Sequence, residues 1–199
     1  MQHLFSLGIV DFILIALISY FCGSIPFGLL VSKSFGTTDL RTKGSGNIGA
    51  TNAWRVGGKK IGLLTFLFDT MKSFLPVLVF KHLFGTGVAA LAGLFVIIGH
   101  MFPIWLSFKG GKGVASMFGL LFAATPQTAI ISALIWLVTF KKFRVSATAS
   151  LIAMSINSIA SFFILDLFTA IVYLFLLLLI IFRHMDNINR LRNNKESKL

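Results

Sequence analysis

Long apolar runs separated by short polar breaks dominate the chain. Five runs are clear, at residues 7–31, 61–84, 87–108, 114–140 and 145–182. A run of about 20 apolar residues is long enough to cross a bilayer as an α-helix, which pairs its own backbone polar groups. The first run is too long for a signal-peptide core. It also lacks a basic stretch before it and a small-residue cleavage site after it, so it reads as a retained membrane helix. The last run exceeds one span, and Asp166 is its turning point. The fourth carries Thr125-Pro126 in its middle, where the missing proline N–H and the ring's clash with the preceding turn end or kink a helix.

Charge decides how the fourth run is threaded. If residues 114–140 crossed once, Lys141, Lys142 and Arg144 would lie opposite the basic loop at Lys109 and Lys112. If the chain turns at Thr125-Pro126, sixteen of the eighteen Lys and Arg residues fall on one face, with Lys81 outside and Lys72 within a span. That asymmetry follows the positive-inside rule. The expectation is an all-α polytopic integral membrane protein of seven transmembrane helices, with the N-terminus outside and the C-terminus cytoplasmic. Residues 1–199 would form a single domain. The two helices made from 114–140 are short for a hydrocarbon core of about 30 Å, and must extend into their loops or thin the bilayer.

Composition agrees. Hydrophobic residues make up 56% of the chain and charged residues 12%, too few polar groups to cover a water-facing surface. The net charge of +12 is carried by the loops and not by a soluble domain, so nucleic acid is not an expected partner. Cys22 can form no intrachain disulfide, since it is the only cysteine.

Three polar clusters share the basic face. The first runs from Asp39-Leu-Arg41 through Gly44-Ser-Gly-Asn-Ile-Gly-Ala-Thr-Asn52 to Arg55. Gly44, Gly46 and Gly49 spell a dinucleotide fingerprint, but no strand precedes them and no βαβ unit surrounds them. Their physics still serves an anion, because glycines let backbone amides approach and a helix starting near Ala50 aims its positive end there. Ser45, Asn47, Thr51 and Asn52 offer neutral donors, and Arg41 and Arg55 offer charge. In the second cluster, Gly99-His-Met-Phe-Pro103 leads to Phe108-Lys-Gly-Gly-Lys-Gly-Val-Ala-Ser116. Lys109, Gly110, Gly111, Lys112 and Gly113 suggest a nest of amides flanked by two ammoniums, suited to a phosphate or acyl phosphate. Val114 stands where a nucleotide-binding loop needs Ser or Thr, so ATP is not implied. In the third cluster, His184 and Asn187 share a helix face if the last span continues past the membrane. No cluster has the ligand set of a metal site, and no cofactor is expected.

Within the membrane, Asp69 and Lys72 stand one turn apart, where an ion pair would lower the cost of burying them. The sixth span is lined by Ser146, Ala149, Ser150, Ala153, Asn157 and Ser158, small residues that let helices pack closely. Ser146, at its cytoplasmic end, could reach a site.

Together with Gly23-Ser-Ile-Pro-Phe-Gly28 and Arg183-His…Asn-Ile-Asn-Arg-Leu191, these motifs, in this order, resemble the bacterial acyl-phosphate-dependent glycerol-3-phosphate acyltransferase family, the PlsY type. The resemblance covers nearly the whole chain. It implies transfer of a fatty acyl group from acyl phosphate to the 1-hydroxyl of glycerol 3-phosphate, giving lysophosphatidic acid and phosphate at the first step of phospholipid synthesis. It also implies a monomer in the bacterial inner membrane, with membrane lipid around it and the site at the cytoplasmic face. By motif, His184, Ser45 and Arg55 would be catalytic. Asn47, Thr51, Lys109, Gly110, Gly111, Lys112, Gly113, Ser146 and Asn187 would bind substrate. Ser116 stands where relatives commonly have Thr, and Met185-Asp186 replaces a more usual Arg-Glu. His184 is either the general base or only a binding group, with a substrate phosphate oxygen taking the proton.

The rival from another class is a small transporter of an organic phosphate. It would need a polar path to both faces, and beyond Lys81, His82 and Asp166 the outer side is nearly all apolar. A structural subunit with basic loops for anionic lipid would not explain the glycines.

Overall fold

The computed structural model describes residues 7–199, which form α-helices, one 3-10 turn and connecting loops, with no strand among the described residues. The chain divides into two compact units, Met1–Ala124 and Thr125–Leu199.

The described residues of the first unit form six α-helices: α1 (Ile9–Ser24), α2 (Phe27–Ser34), α3 (Ala50–Gly57), α4 (Lys59–Phe84), α5 (Thr86–Met101) and α6 (Val114–Ala124). The first apolar run is therefore broken, where the sequence pattern suggests one helix over 7–31. Pro26 is the reason: it has no N–H to give, and it disfavours a helical Ile25 before it. Other helices supply the donors that the break removes. The Trp105 indole N–H donates to the Ser24 carbonyl at 2.8 Å, and the Lys72 ammonium donates to the Ile25 carbonyl at 2.7 Å.

α4, with 26 residues, spans about 39 Å at 1.5 Å per residue and is the backbone of this unit. α2, α3, α5, α6 and α1 all pack on it. α3 and α4 are separated only by Gly58, whose φ of 87° suits glycine and turns the chain sharply. Close approach elsewhere is also bought with missing side chains. A Cβ on Gly23 would overlap the Val96 carbonyl, and one on Gly119 the Thr70 carbonyl, so α1 meets α5 and α6 meets α4 nearly backbone to backbone.

The second unit holds α7 (Pro126–Phe143), α8 (Ser146–Ile164), α9 (Leu167–Arg183) and α10 (Met185–Arg192). Both helix breaks expected from the sequence are present. Pro126 opens α7, and Asp166 caps α9 by accepting the Thr169 amide at 3.1 Å and its hydroxyl at 2.8 Å. α8 packs against both α7 and α9. Its small polar residues face inward, where Ser132 donates to Asn157 at 3.2 Å and Trp136 to Ser150 at 3.0 Å.

Among the described residues, four helical stretches are long and apolar enough to cross a membrane: Ile9–Ser34, Lys59–Phe84, Thr86–Leu106 and Ser146–Ile164. α9 and α10 make a fifth if taken together, bent by 58°. α6 is apolar but has only 11 residues.

Candidate active site

The loop of the first cluster is organised from beneath by one side chain. Asn52, 1% exposed, accepts the Ser45 amide at 2.8 Å. Its own amide donates to the carbonyls of Leu40, Lys43 and Asn47 at 2.9, 3.0 and 2.8 Å. Those bonds use its whole donor capacity, so Asn52 shapes the loop and is not the ligand donor that the sequence suggests. Leu40 anchors the same loop in an apolar cluster with Val31, Ala53 and Ile61. Arg41 is likewise committed. Its guanidinium grips Asp39, with Nη2 at 2.6 Å from Oδ2, and this holds the Asp39 carboxyl below the usual carboxylate range. Within this frame Ser45 is exposed, while Asn47, Thr51 and Arg55 are half-buried, the last two on α3. α3 starts at Ala50, as expected, and Gly49 accepts the first amides of the helix from Asn52 and Ala53.

The second cluster folds back on itself. The Gly110 amide donates to the Met101 carbonyl and the Gly111 amide to the His100 carbonyl, each at 3.0 Å. A Cβ on Gly110 would overlap the His100 carbonyl, and one on Gly111 the His100 imidazole. Two of the three glycines are thus there to let the loop lie on His100. Their amides are spent on that fold-back, which narrows the expected nest to the amides after them, where α6 begins. Gly113, with φ of 83°, makes the turn into α6. Lys109 is exposed and Lys112 half-buried. The loop is tied to α1 by Tyr20, whose hydroxyl donates to the Phe102 carbonyl at 2.9 Å.

Both clusters hang on α4. Trp54 of α3 packs where Gly62 leaves room, and the second loop is held near Asp69 and Thr70. Seven residues of helix separate these points, about 10 Å along the axis.

The third cluster lies in the second unit. The last span does not run on straight, because α9 ends at Arg183 and His184 sits at the bend into α10. His184 is 3% exposed, and its Nδ1 lies 2.8 Å from the Ile180 carbonyl. A carbonyl can only accept, so Nδ1 carries a proton, and of the two neutral tautomers the contact selects the one with its lone pair on Nε2. Asn187, 5% exposed, donates its amide to Glu196 at 2.7 Å, and Arg190 donates to the other Glu196 oxygen at 2.6 Å. Glu196 is a residue the sequence reading passed over. Its signal was a lone carboxylate in a basic tail. Ser146 is half-buried at the first position of α8, and Met185 and Asp186 are both exposed. Among the described residues, no group of three or more His, Cys, Asp or Glu side chains could hold a metal ion.

Residues 13–194 match the family model described as glycerol-3-phosphate acyltransferase, a range that includes most of both units. A glycerol-3-phosphate acyltransferase of Agrobacterium fabrum is 44% identical over 186 residues, covering 94% of this chain and 91% of the relative. One from Pelagibacter ubique is 40% identical over 189 residues, covering 95% and 98%. Among solved structures, the glycerol 3-phosphate form of PlsY, an integral membrane glycerol 3-phosphate acyltransferase, superposes with a TM-score of 0.91 at 38% identity, covering 95% of this chain and 96% of that one. Its lysophosphatidic acid form gives 0.87 at 36% identity, covering 95% of each.

Proposed function

This chain belongs to the glycerol-3-phosphate acyltransferase family, and from that premise we propose the donor, the residues and the membrane topology of its reaction. It is an integral membrane enzyme that transfers an acyl group to glycerol 3-phosphate. The donor is a fatty acyl phosphate. The 1-hydroxyl oxygen of glycerol 3-phosphate bonds to the acyl carbonyl carbon, and the bond from that carbon to the phosphate oxygen breaks. Phosphate leaves with the electron pair, and lysophosphatidic acid is the other product. An acyl phosphate is already activated, so the protein's task is to align the hydroxyl and stabilise developing charge, with no cofactor.

His184 takes the hydroxyl proton on Nε2. The observation that carries this role is the contact of Nδ1 with the Ile180 carbonyl, which fixes the tautomer a general base needs. Lys109, Lys112 and the amides from Gly113 into α6 hold a phosphate, while Gly110 and Gly111 let the loop lie where it does. Ser45, Asn47, Thr51 and Arg55 serve the same reaction from the first cluster, and Ser146 and Asn187 bind substrate from the second unit.

The topology we propose is seven membrane helices, α1, α4, α5, α6, α7, α8 and α9, with the N-terminus outside and the C-terminus in the cytoplasm. The helix ends at Ala124 and Ile164 support it, since with turns at those points the basic loops would fall on one face. The enzyme works as one domain over residues 1–199, as a monomer in the bacterial inner membrane with its reaction at the cytoplasmic face.

Purified protein given acyl phosphate and glycerol 3-phosphate should release inorganic phosphate, and a silent enzyme would overturn the donor. His184→Gln should lower turnover at saturating glycerol 3-phosphate by about 10²-fold or more. Near-normal turnover there would leave His184 as a binding group only.

A further inference from the structure

Beneath the second loop lie buried ionisable groups that the proposed chemistry does not use. Asp69, Lys72 and His100 are 2%, 7% and 4% exposed. Lys72 Nζ sits 2.7 Å from Asp69 Oδ1, and the same oxygen lies 3.6 Å from His100 Nδ1. The second distance is a close approach, too long for a hydrogen bond.

Helix packing alone does not call for ions here. A buried pair replaced by apolar side chains of similar volume is often neutral or stabilising. What the pair adds is orientation. Asp69 faces the Nδ1 edge of His100, and the opposite edge of that ring, with Nε2, lies against Gly111, where a Cβ would overlap it. Lys72 holds Asp69 in place from a fixed point, since its ammonium also donates to the Ile25 carbonyl at 2.7 Å.

The same turn of α4 grips the far end of the loop. The Thr70 hydroxyl donates to the Ala115 carbonyl at 3.2 Å, and the Ser116 hydroxyl donates to the Asp69 carbonyl at 3.3 Å. Residues 69–72 thus hold His100 before the loop and Ala115 and Ser116 after it. The segment between contains the lysines and the opening amides of α6.

We propose that Asp69, Lys72 and Thr70 are positioning residues for the phosphate-holding loop, acting through His100 at one end and through Ala115 and Ser116 at the other. The inference rests on the reading that this loop holds a substrate phosphate. Both substrates carry one, so the shared ligand chemistry is a phosphate dianion.

The test is steady-state kinetics on purified full-length protein, with KM measured separately for acyl phosphate and for glycerol 3-phosphate. The double variant Asp69→Leu/Lys72→Met removes the ions together and leaves no lone charge buried. It should melt close to wild type and raise KM for one of the two substrates about tenfold, with kcat changed by less than about threefold. The substrate whose KM rises identifies the phosphate that the loop holds. Thr70→Val should raise the same KM, and Thr70→Ser, which keeps the hydroxyl, should restore it. A purely structural role would lower the melting temperature or the active fraction and leave both KM values alone. If the double variant does not fold, the Thr70 pair decides. Both KM values within twofold of wild type in every variant that folds would overturn the proposal. A wild-type enzyme that releases no phosphate would instead refute the underlying donor assignment.

Discussion

At the scale of single residues, the first two clusters owe their shape to groups that a sequence presents as ligands. Asn52 is the sharpest case, since one buried amide ties together Leu40, Lys43, Ser45 and Asn47. Asn52→Asp keeps the size but turns a carboxylate oxygen toward three carbonyls. Burying such unpaired, mutually repelling acceptors costs about 1–3 kcal/mol or more. The variant should melt several degrees lower and lose most turnover, whereas Thr42→Val, on the exposed part of the loop, should do neither. Thermal unfolding in detergent alongside phosphate release would check both. The family resemblance names Ser45, Arg55, Lys109, His184 and Asn187 by motif. The division of labour inside each motif is not legible there. Whether an amide serves a ligand or the loop depends on partners as distant in sequence as Leu40 is from Asn52. Likewise, Gly110 and Gly111 look like anion-binding glycines until His100 is seen lying against them.

At the scale of elements, most of the helices are legible, and the break at Pro26 is not. Proline marks the break at Pro126 and equally the break at Pro26, yet the apolar run over 7–31 hides the second. Its polar repair comes from Trp105 and Lys72, far away in sequence. The short α6 poses a related problem. Its 11 residues reach only about 16 Å, so in the seven-helix topology proposed above its last carbonyls would fall where water is scarce. Lys81 answers it, since its ammonium donates to the carbonyls of Ala123 and Ala124 at 3.0 and 2.9 Å. A cation at a helix C-terminus also meets the negative end of the dipole. From sequence Lys81 is merely the one lysine outside, a residue against the charge rule. Lys81→Met should keep the apolar stem but lose both bonds, lowering stability by about 2–3 kcal/mol. Phosphate release well below the melting temperature should stay within about twofold of wild type. A melting temperature equal to wild type would mean the cap carries no weight.

At the scale of the whole molecule, the threading makes the strongest claim, because it joins hydropathy, charge and the placement of breaks. Splitting 114–140 at Thr125-Pro126 puts Lys109, Lys112, Lys141, Lys142 and Arg144 on one face, and α6 and α7 end and begin at that point. Hydropathy alone would miss this, since neither α6 nor α7 is among the stretches long and apolar enough to count as a span. In the proposed threading the C-terminus of α6 and the C-terminal end of α4 would share the outer side, and the Lys81 contacts with Ala123 and Ala124 join those two ends. Gln127 is exposed at the start of α7 and is therefore the position to test. In a chain with Cys22→Ala, a cysteine at Gln127 should react with a membrane-impermeant maleimide applied from outside, and one at Lys141 only after the cytoplasmic face is opened. Labelling of both from the cytoplasmic side alone would join residues 114–140 on one face without a crossing. That would reduce the span count and detach Lys81 from any outer cap. With the expected pattern, the basic loops at Lys109 and Lys112 and at Lys141, Lys142 and Arg144 would share the cytoplasmic side, with the turn at Pro126 opposite them.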